Sequence, residues 1–216
     1  MIKIDNVSYS YSKGGGVSNI NLTIQDGEFV FLIGPTGSGK TTILKLLYMD
    51  IFPKAGNVII DKFDSQSIKK RKIPYLRRKV GVIFQNYHLL EDRNLFENIA
   101  LPLHVLGYQK EEVVELVNES IDEIGLSGKE SHYPYELSGG EQQRACIARA
   151  LIKDPEIILA DEPTGNLDPV ASFELIKLLE QISNDGTSIL MASHNYNLIK
   201  SRGHRIVEMK NGSVRQ

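Results

Sequence analysis

Residues 34 to 41, Gly34-Pro35-Thr36-Gly37-Ser38-Gly39-Lys40-Thr41, bring together the groups that a polyphosphate needs, in the order Gly, four residues, Gly-Lys-Thr. Glycines at 34, 37 and 39 let the backbone turn tightly and point successive N–H groups at an anion. Lys40 supplies a mobile charge, Thr41 offers a hydroxyl to Mg²⁺, and the helix that begins here turns its positive end to the phosphates.

Five further groups carry possible chemistry. Asp161 and Glu162 close an apolar run, and two adjacent carboxylates beside a phosphate loop suit metal and water chemistry; a solvated acidic turn is the plain alternative. Gln85 ends the run Val80 to Phe84, and His194 follows the run Ser188 to Ala192. Ligands of open α/β sheets bind at such strand ends, so the three polar termini are expected to converge on one crevice. Ser138-Gly139-Gly140 precedes a helix-forming stretch, Ala145 to Ile152, and is a second candidate anion site at a helix start. Tyr11, just before Gly14-Gly15-Gly16, can stack on a purine or simply cover a sheet; residue type alone leaves both readings open.

The elements that position these groups follow from periodicity. Phe29 to Ile33 reads as a buried strand and Thr42 to Tyr48 as a helix, so the phosphate loop sits between strand and helix as its chemistry requires. Residues 1 to 33 alternate apolar and polar positions and predict an antiparallel β region leading into a central strand. Gly56 to Asp61 reads as a hairpin strand, and Ile73 to Lys79 as a basic turn or short helix. Residues 87–151 carry helical spacing at Leu95 to Leu106 and Glu111 to Ile124, with Pro102, Gly107 and Gly125 as punctuation, and predict an inserted helical subdomain. A strand at Ile157 to Ala160, a turn-rich loop, a helix over Val170 to Ser183 and a hairpin over residues 205–216 turned at Lys210-Asn211 complete the chain. One domain of 216 residues results, with residues 1–86 and 152–216 forming the β region and core.

Composition excludes some functions. With 25 basic and 27 acidic residues the chain has no global field for a nucleic-acid partner. Its single cysteine, Cys146, forbids an internal disulfide and fits a reducing compartment. No apolar stretch approaches a membrane span, so a membrane role is expected through a separate subunit.

Taken in order, the phosphate loop, Gln85, Leu137-Ser138-Gly139-Gly140-Glu141, Ile157-Ile158-Leu159-Ala160-Asp161-Glu162, Asn166-Leu167-Asp168 and His194 resemble the ATP-binding-cassette (ABC) ATPases over essentially the whole chain. The resemblance implies an α/β nucleotide-binding domain with a RecA-like core, an antiparallel β subdomain and an inserted α-helical subdomain. It also implies an ATP-dependent homodimer that sandwiches two ATP molecules, each site completed by Ser138, Gly139 and Gly140 of the opposite chain. By that pattern Gly34, Pro35, Thr36, Gly37, Ser38, Gly39, Lys40, Thr41 and Thr42 surround the phosphates, while Thr41, Gln85 and Asp161 hold Mg²⁺ and its water. Glu162 is then the general base, His194 and Lys40 stabilise the transition state, Tyr11 stacks on adenine, and Asp168 meets the opposite chain. Asn195 departs from the family, which commonly has Asp after the histidine.

Finer segments, Arg71 to Gln85, Leu89 to Ala100 and Ala160 to Pro169, are similar to the family's cell-division branch. That implies an FtsX-like integral membrane partner, a peripheral position on the cytoplasmic face of the membrane, and a signal to cell-wall hydrolases. Lipoprotein-release and macrolide-export ATPases share the last segment and stand as the competing reading. The groove for a membrane subunit is expected along Tyr87, Leu89, Leu90, Leu95 and Phe96.

Overall fold

The computed structural model describes residues 1–215; Gln216, the last residue of the expected closing hairpin, lies outside them. Strands β1 (Ile2–Ser10), β2 (Gly16–Ile24), β3 (Phe29–Ile33), β4 (Ala55–Ile60), β5 (Phe63–Asp64), β6 (Val80–Ile83), β7 (Ile157–Asp161), β8 (Ser188–Ser193), β9 (Arg205–Lys210) and β10 (Ser213–Arg215) form two sheets. Helices are α1 (Lys40–Leu47), α2 (Ile73–Lys79), α3 (Leu95–Leu106), α4 (Lys110–Glu123), α5 (Gly139–Leu151), α6 (Pro169–Asn184) and α7 (Tyr196–Ile199).

The first sheet is antiparallel, in the order β2-β1-β4-β5, and its alternation shows on β1, where Ile2, Ile4 and Val7 are buried and Lys3 and Asn6 exposed. The second runs β10-β9-β3-β8-β7-β6 and is parallel except for β10. Its central strands are covered on both faces, and so β3, β7 and β8 read as continuous apolar runs. One core fills the space between the two sheets and around α1. A second lies under α5 and α6 on the other face, and a third joins α3, α4 and α5.

Register decides where the chemistry goes. Ile33 pairs with Ser193 and Asp161 pairs with Ala192, so β3, β7 and β8 end at one level. The residues that follow, Gly34, Glu162 and His194, therefore leave the sheet side by side.

The structure differs from expectation at two points, Pro102 and the final turn. Pro102 does not punctuate α3 but sits inside it. The lost N–H and ring clash cost roughly 3 kcal/mol, and burial of Leu95, Ile99, Ala100 and Leu103 against α4 and α5 outweighs them. Helix α5 starts at the Ser-Gly-Gly segment as expected, with Gly139 its first residue, because Ser138 and Glu141 form a reciprocal capping box that offsets the cost of two glycines. The final turn falls on Asn211-Gly212, both with positive φ (51° and 75°), the pair that a tight hairpin favours.

Candidate active site

The phosphate loop leaves β3 and closes at Gly39, whose φ of 107° caps α1. Gly34 allows no side chain: a Cβ there would lie 2.4 Å from the Met209 carbonyl oxygen and 2.7 Å from Ser38 Oγ. The loop wraps one wall of a cavity of about 320 Å³ that Tyr11, Gly15, Gly16, Gln85 and Glu162 help to line. Inside the loop, the Ser38 hydroxyl is buried without a partner. An orphaned hydroxyl in a cradle of amides is the donor that a phosphate oxygen satisfies.

Lys40 is buried, with its ammonium turned inward. It donates to the carbonyl oxygens of Gly34 (2.7 Å) and Pro35 (3.2 Å) and pairs with Glu162 Oε1 at 3.1 Å. Glu162 departs from the strand into the left-handed region, φ 48°, while its N–H donates to the Ala192 carbonyl at 3.0 Å. That turn aims its carboxylate into the cavity at a conformational cost of about 1 kcal/mol. Its second oxygen, Oε2, lies 2.5 Å from His194 Nδ1. One carboxylate thus joins the lysine of the loop to the histidine beyond β8.

Asp161 is half-buried, and desolvation raises its carboxyl above the usual range, opposed by a hydrogen bond from Thr41. The Gln85 amide reaches the loop after β7, where it would stand 3.5 Å from a Cβ on Gly165, and Asn166 Nδ2 donates to the Gln85 carbonyl at 3.2 Å. Thr41, Gln85 and Asp161 are oxygen donors of the hard kind Mg²⁺ takes. Among the described residues no group of three or more His, Cys, Asp and Glu side chains can cage a metal ion. Such a donor set fits a cation held jointly with phosphate oxygens.

Tyr11 stands at the cavity mouth, its hydroxyl 3.4 Å from Thr42 Oγ1 and its ring edge-on to Tyr9 at 4.9 Å. The ring is partly exposed, as stacking on a flat ligand requires.

Two expected site groups lie elsewhere in the single chain. Ser138 caps α5: its hydroxyl and N–H both donate to Glu141 Oε2 at 2.8 Å, and Lys129 pairs with the same carboxylate. Gly139 and Gly140 open that helix with free N–H groups. Asp168 caps α6, accepting from Val170 N at 2.8 Å and Ala171 N at 3.0 Å. None of the four lines the phosphate-loop cavity.

The groove beside Gln85 also differs from expectation. Leu95 belongs to the helical core, with Leu89 and Phe96 packed on it, and Tyr87 does not line the groove. Of the five expected residues only Leu90 does, together with Tyr48, Arg77, Phe84, His88, Leu101 and Lys153. Burial lowers the Lys153 ammonium to about 8, while the ammonium donates to the Arg77 and Val80 carbonyls at 2.7 Å each. Tyr87 and His88 both take positive φ, 57° and 51°, and Arg149 near the end of α5 donates to both of their carbonyls, at 2.9 and 2.7 Å.

An ABC transporter family model matches residues 17–165. The chain belongs to the ABC transporter family, and it is an ATP-hydrolysing cassette of that family. It is 41% identical over 215 residues to the cell division ATP-binding protein FtsE of Bacillus subtilis, covering 99% of this chain and 94% of the relative. The corresponding protein of Mycobacterium tuberculosis is 43% identical with the same coverage, and that of Escherichia coli K12 is 40% identical, covering 99% and 97%. Among solved structures, the dimeric post-hydrolysis state of the ATP-binding cassette MJ0796, bound to ADP and Pi, superposes with a TM-score of 0.91 at 35% identity, covering 100% and 97%. The mixed fold is that of an ABC cassette. Among the described residues no helix is long and apolar enough to cross a membrane.

Proposed function

We propose that this chain is the ATPase subunit of a cell-division complex, in which ATP-driven pairing of two copies acts on an FtsX-like integral membrane partner and, through it, on septal cell-wall hydrolysis. The carrying observation is the Lys40–Glu162–His194 chain of contacts at the phosphate-loop cavity, in a sequence similar along 99% of its length to cell division ATP-binding proteins. In this reading the chain works at the cytoplasmic face of the membrane.

The mechanism follows from the groups present. ATP enters with adenine against Tyr11 and its phosphates along residues Gly34 to Thr42, satisfying the Ser38 hydroxyl and drawing Lys40 away from Glu162. Freed of its ion pair, Glu162 accepts the proton of the attacking water, and His194, already 2.5 Å from that carboxylate, donates to the γ-phosphate. Thr41, Asp161 and Gln85 would hold Mg²⁺, which would supply charge neutralisation for the phosphates. Because Ser138, Gly139 and Gly140 lie outside the cavity of their own chain, the γ-phosphate site is completed by the partner's signature helix, and Asp168 faces the second chain. A lone chain then binds ATP and turns over slowly.

The test of the shared site mixes Lys40→Ala chains with Ser138→Ala chains. Each is inactive alone; the mixed dimer restores one complete site and about half of one dimer's turnover. No recovery sinks the sandwich. The partner is tested by capturing tagged Glu162→Gln chains with ATP from solubilised membranes: an FtsX-like protein supports the cell-division reading, and an exporter permease replaces it.

A further inference from the structure

Residues 65–79 carry seven Lys and Arg and no Asp or Glu in a chain whose net charge is −2. Lys69, Lys70, Arg71, Lys72 and Arg78 are exposed, and among the described residues none has a carboxylate partner; Lys79 alone is neutralised, by Asp61 and Glu156. The run is placed against its own interest. Three of the free cations crowd the start of α2, whose first turn holds no acidic residue and whose N-terminus has no side-chain cap. Like charges at a positive helix end repel one another and the helix dipole.

Tyr75 stands out of the same surface, 49% exposed, with Lys72 Nζ and Arg78 Cζ each 4.9 Å from its ring centre. An aromatic held among cations is the amphipathic arrangement that seats at a headgroup boundary. Beside it opens a cavity of about 510 Å³ whose rim includes Lys62, Lys69, Lys72 and Lys79. The one carboxylate on that rim, Asp64, already accepts from Gln66 N (2.8 Å) and Asn57 Nδ2 (3.1 Å). On its other side α2 lends Arg77 and Arg78 to the groove that Leu101 and Lys153 line, so the basic surface is continuous with the groove next to Gln85.

We propose that Lys69, Lys70, Arg71, Lys72, Arg78 and Tyr75 form a membrane-contact surface that binds the anionic phospholipid headgroups next to the membrane subunit. This rests on the reading that the groove beside Gln85 faces that subunit. A lipid surface fits better than nucleic acid because the cations are confined to one corner of a net-acidic chain. It also presents many phosphates in one plane, which a single acidic peptide does not. The contact orients the cassette so that its groove, and not another face, meets the bilayer.

The test is cosedimentation of the purified chain with protein-free vesicles of phosphatidylcholine alone or with a third phosphatidylglycerol, at low and at high salt. The native chain partitions onto the anionic vesicles only, and high salt releases it. Each Lys or Arg near an anionic surface contributes about 1 kcal/mol, so Lys69→Gln/Lys70→Gln/Lys72→Gln weakens partitioning on the order of 100-fold. Tyr75→Ala weakens it severalfold, and ATP turnover of both variants stays native, which reports their folding. Equal partitioning onto neutral vesicles, no partitioning at all, or a triple variant that binds as well as the native chain overturns the proposal. So does a chain that ignores vesicles and retains an acidic peptide or RNA. Because the vesicles hold no protein, this result is independent of which membrane subunit the groove meets.

Discussion

Replacing Glu162 by Gln separates the two roles proposed for its carboxylate, general base and partner of Lys40. The exchange keeps size and hydrogen-bonding atoms but removes the charge that Lys40 faces at 3.1 Å and His194 at 2.5 Å. Loss of a general base costs on the order of 10²- to 10⁴-fold in turnover. Affinity moves the other way. In the resting chain ATP must compete with Glu162 for the Lys40 ammonium, a contact worth roughly 5 kcal/mol of gross Coulomb energy at an effective dielectric of 20. A charge-assisted hydrogen bond exceeds a neutral one by roughly 1 kcal/mol net, which sets the gain at about fivefold tighter ATP binding. The γ-phosphate also loses a like-charged neighbour. The assay is a fluorescent-ATP titration of native and Glu162→Gln chains beside steady-state phosphate release, with light scattering to follow the ATP-bound dimer. If turnover falls less than tenfold, Glu162 is not the base. If turnover falls and affinity falls with it, the Lys40–Glu162 pair does not restrain the resting site, and the order of events argued above is wrong.

Three other outcomes follow from the geometry. Gly34→Ala forces a Cβ to within 2.4 Å of the Met209 carbonyl oxygen, so nucleotide binding falls at least 100-fold in the same titration while the far-UV spectrum keeps its helical content. Asn98, buried on α3, exchanges hydrogen bonds with both backbone groups of Leu90 (2.8 and 3.0 Å) and donates to the Arg93 and Asn94 carbonyls, so Asn98→Ala costs about 2–4 kcal/mol by denaturant unfolding. The Lys129 ammonium and the Ser138 hydrogen bonds lower the Glu141 carboxyl from 4.5 to about 2. The folded state thus binds this proton less readily than the unfolded chain. The stability that Glu141 contributes is complete above about 4.5 and is lost as pH falls toward 2, a slope that Glu141→Gln flattens in acid melts followed by circular dichroism.

What was legible in the sequence was local or repeated in pattern. Strand, glycine loop and helix around Lys40 declare themselves within twenty residues, and the apolar runs of β3, β7 and β8 announce a parallel sheet before any pairing is known. That Gln85, Glu162 and His194 would converge also followed, since each ends a buried strand. The partnership itself was hidden: nothing in residue spacing places Lys40 on Glu162 rather than on an open cavity, because that contact depends on register between β3, β8 and β7 and on a left-handed turn at Glu162. Pro102 misled for a related reason, since propensity sees the ring and not the packing of its helix against α4 and α5. The groove lining was missed because Lys153 and Arg77 reach it from elements distant in sequence, whereas Leu95 is taken up by the helical core and Phe96 packs against that core.

Helix α5 carries Ser138 at its head and, near its tail, the arginine that clasps the carbonyls of Tyr87 and His88. Its thirteen residues span roughly 20 Å with no internal hinge. The helix thereby connects the signature segment to the loop after β6. In the proposed dimer a shift at its glycine-opened end, where a second molecule's nucleotide would draw it, would be carried along the helix to the pair of left-handed residues that Arg149 holds. His88 of that pair lines the groove, so in the proposed dimer one unbroken helix would link the second molecule's nucleotide to the groove, and its length would set the distance between them.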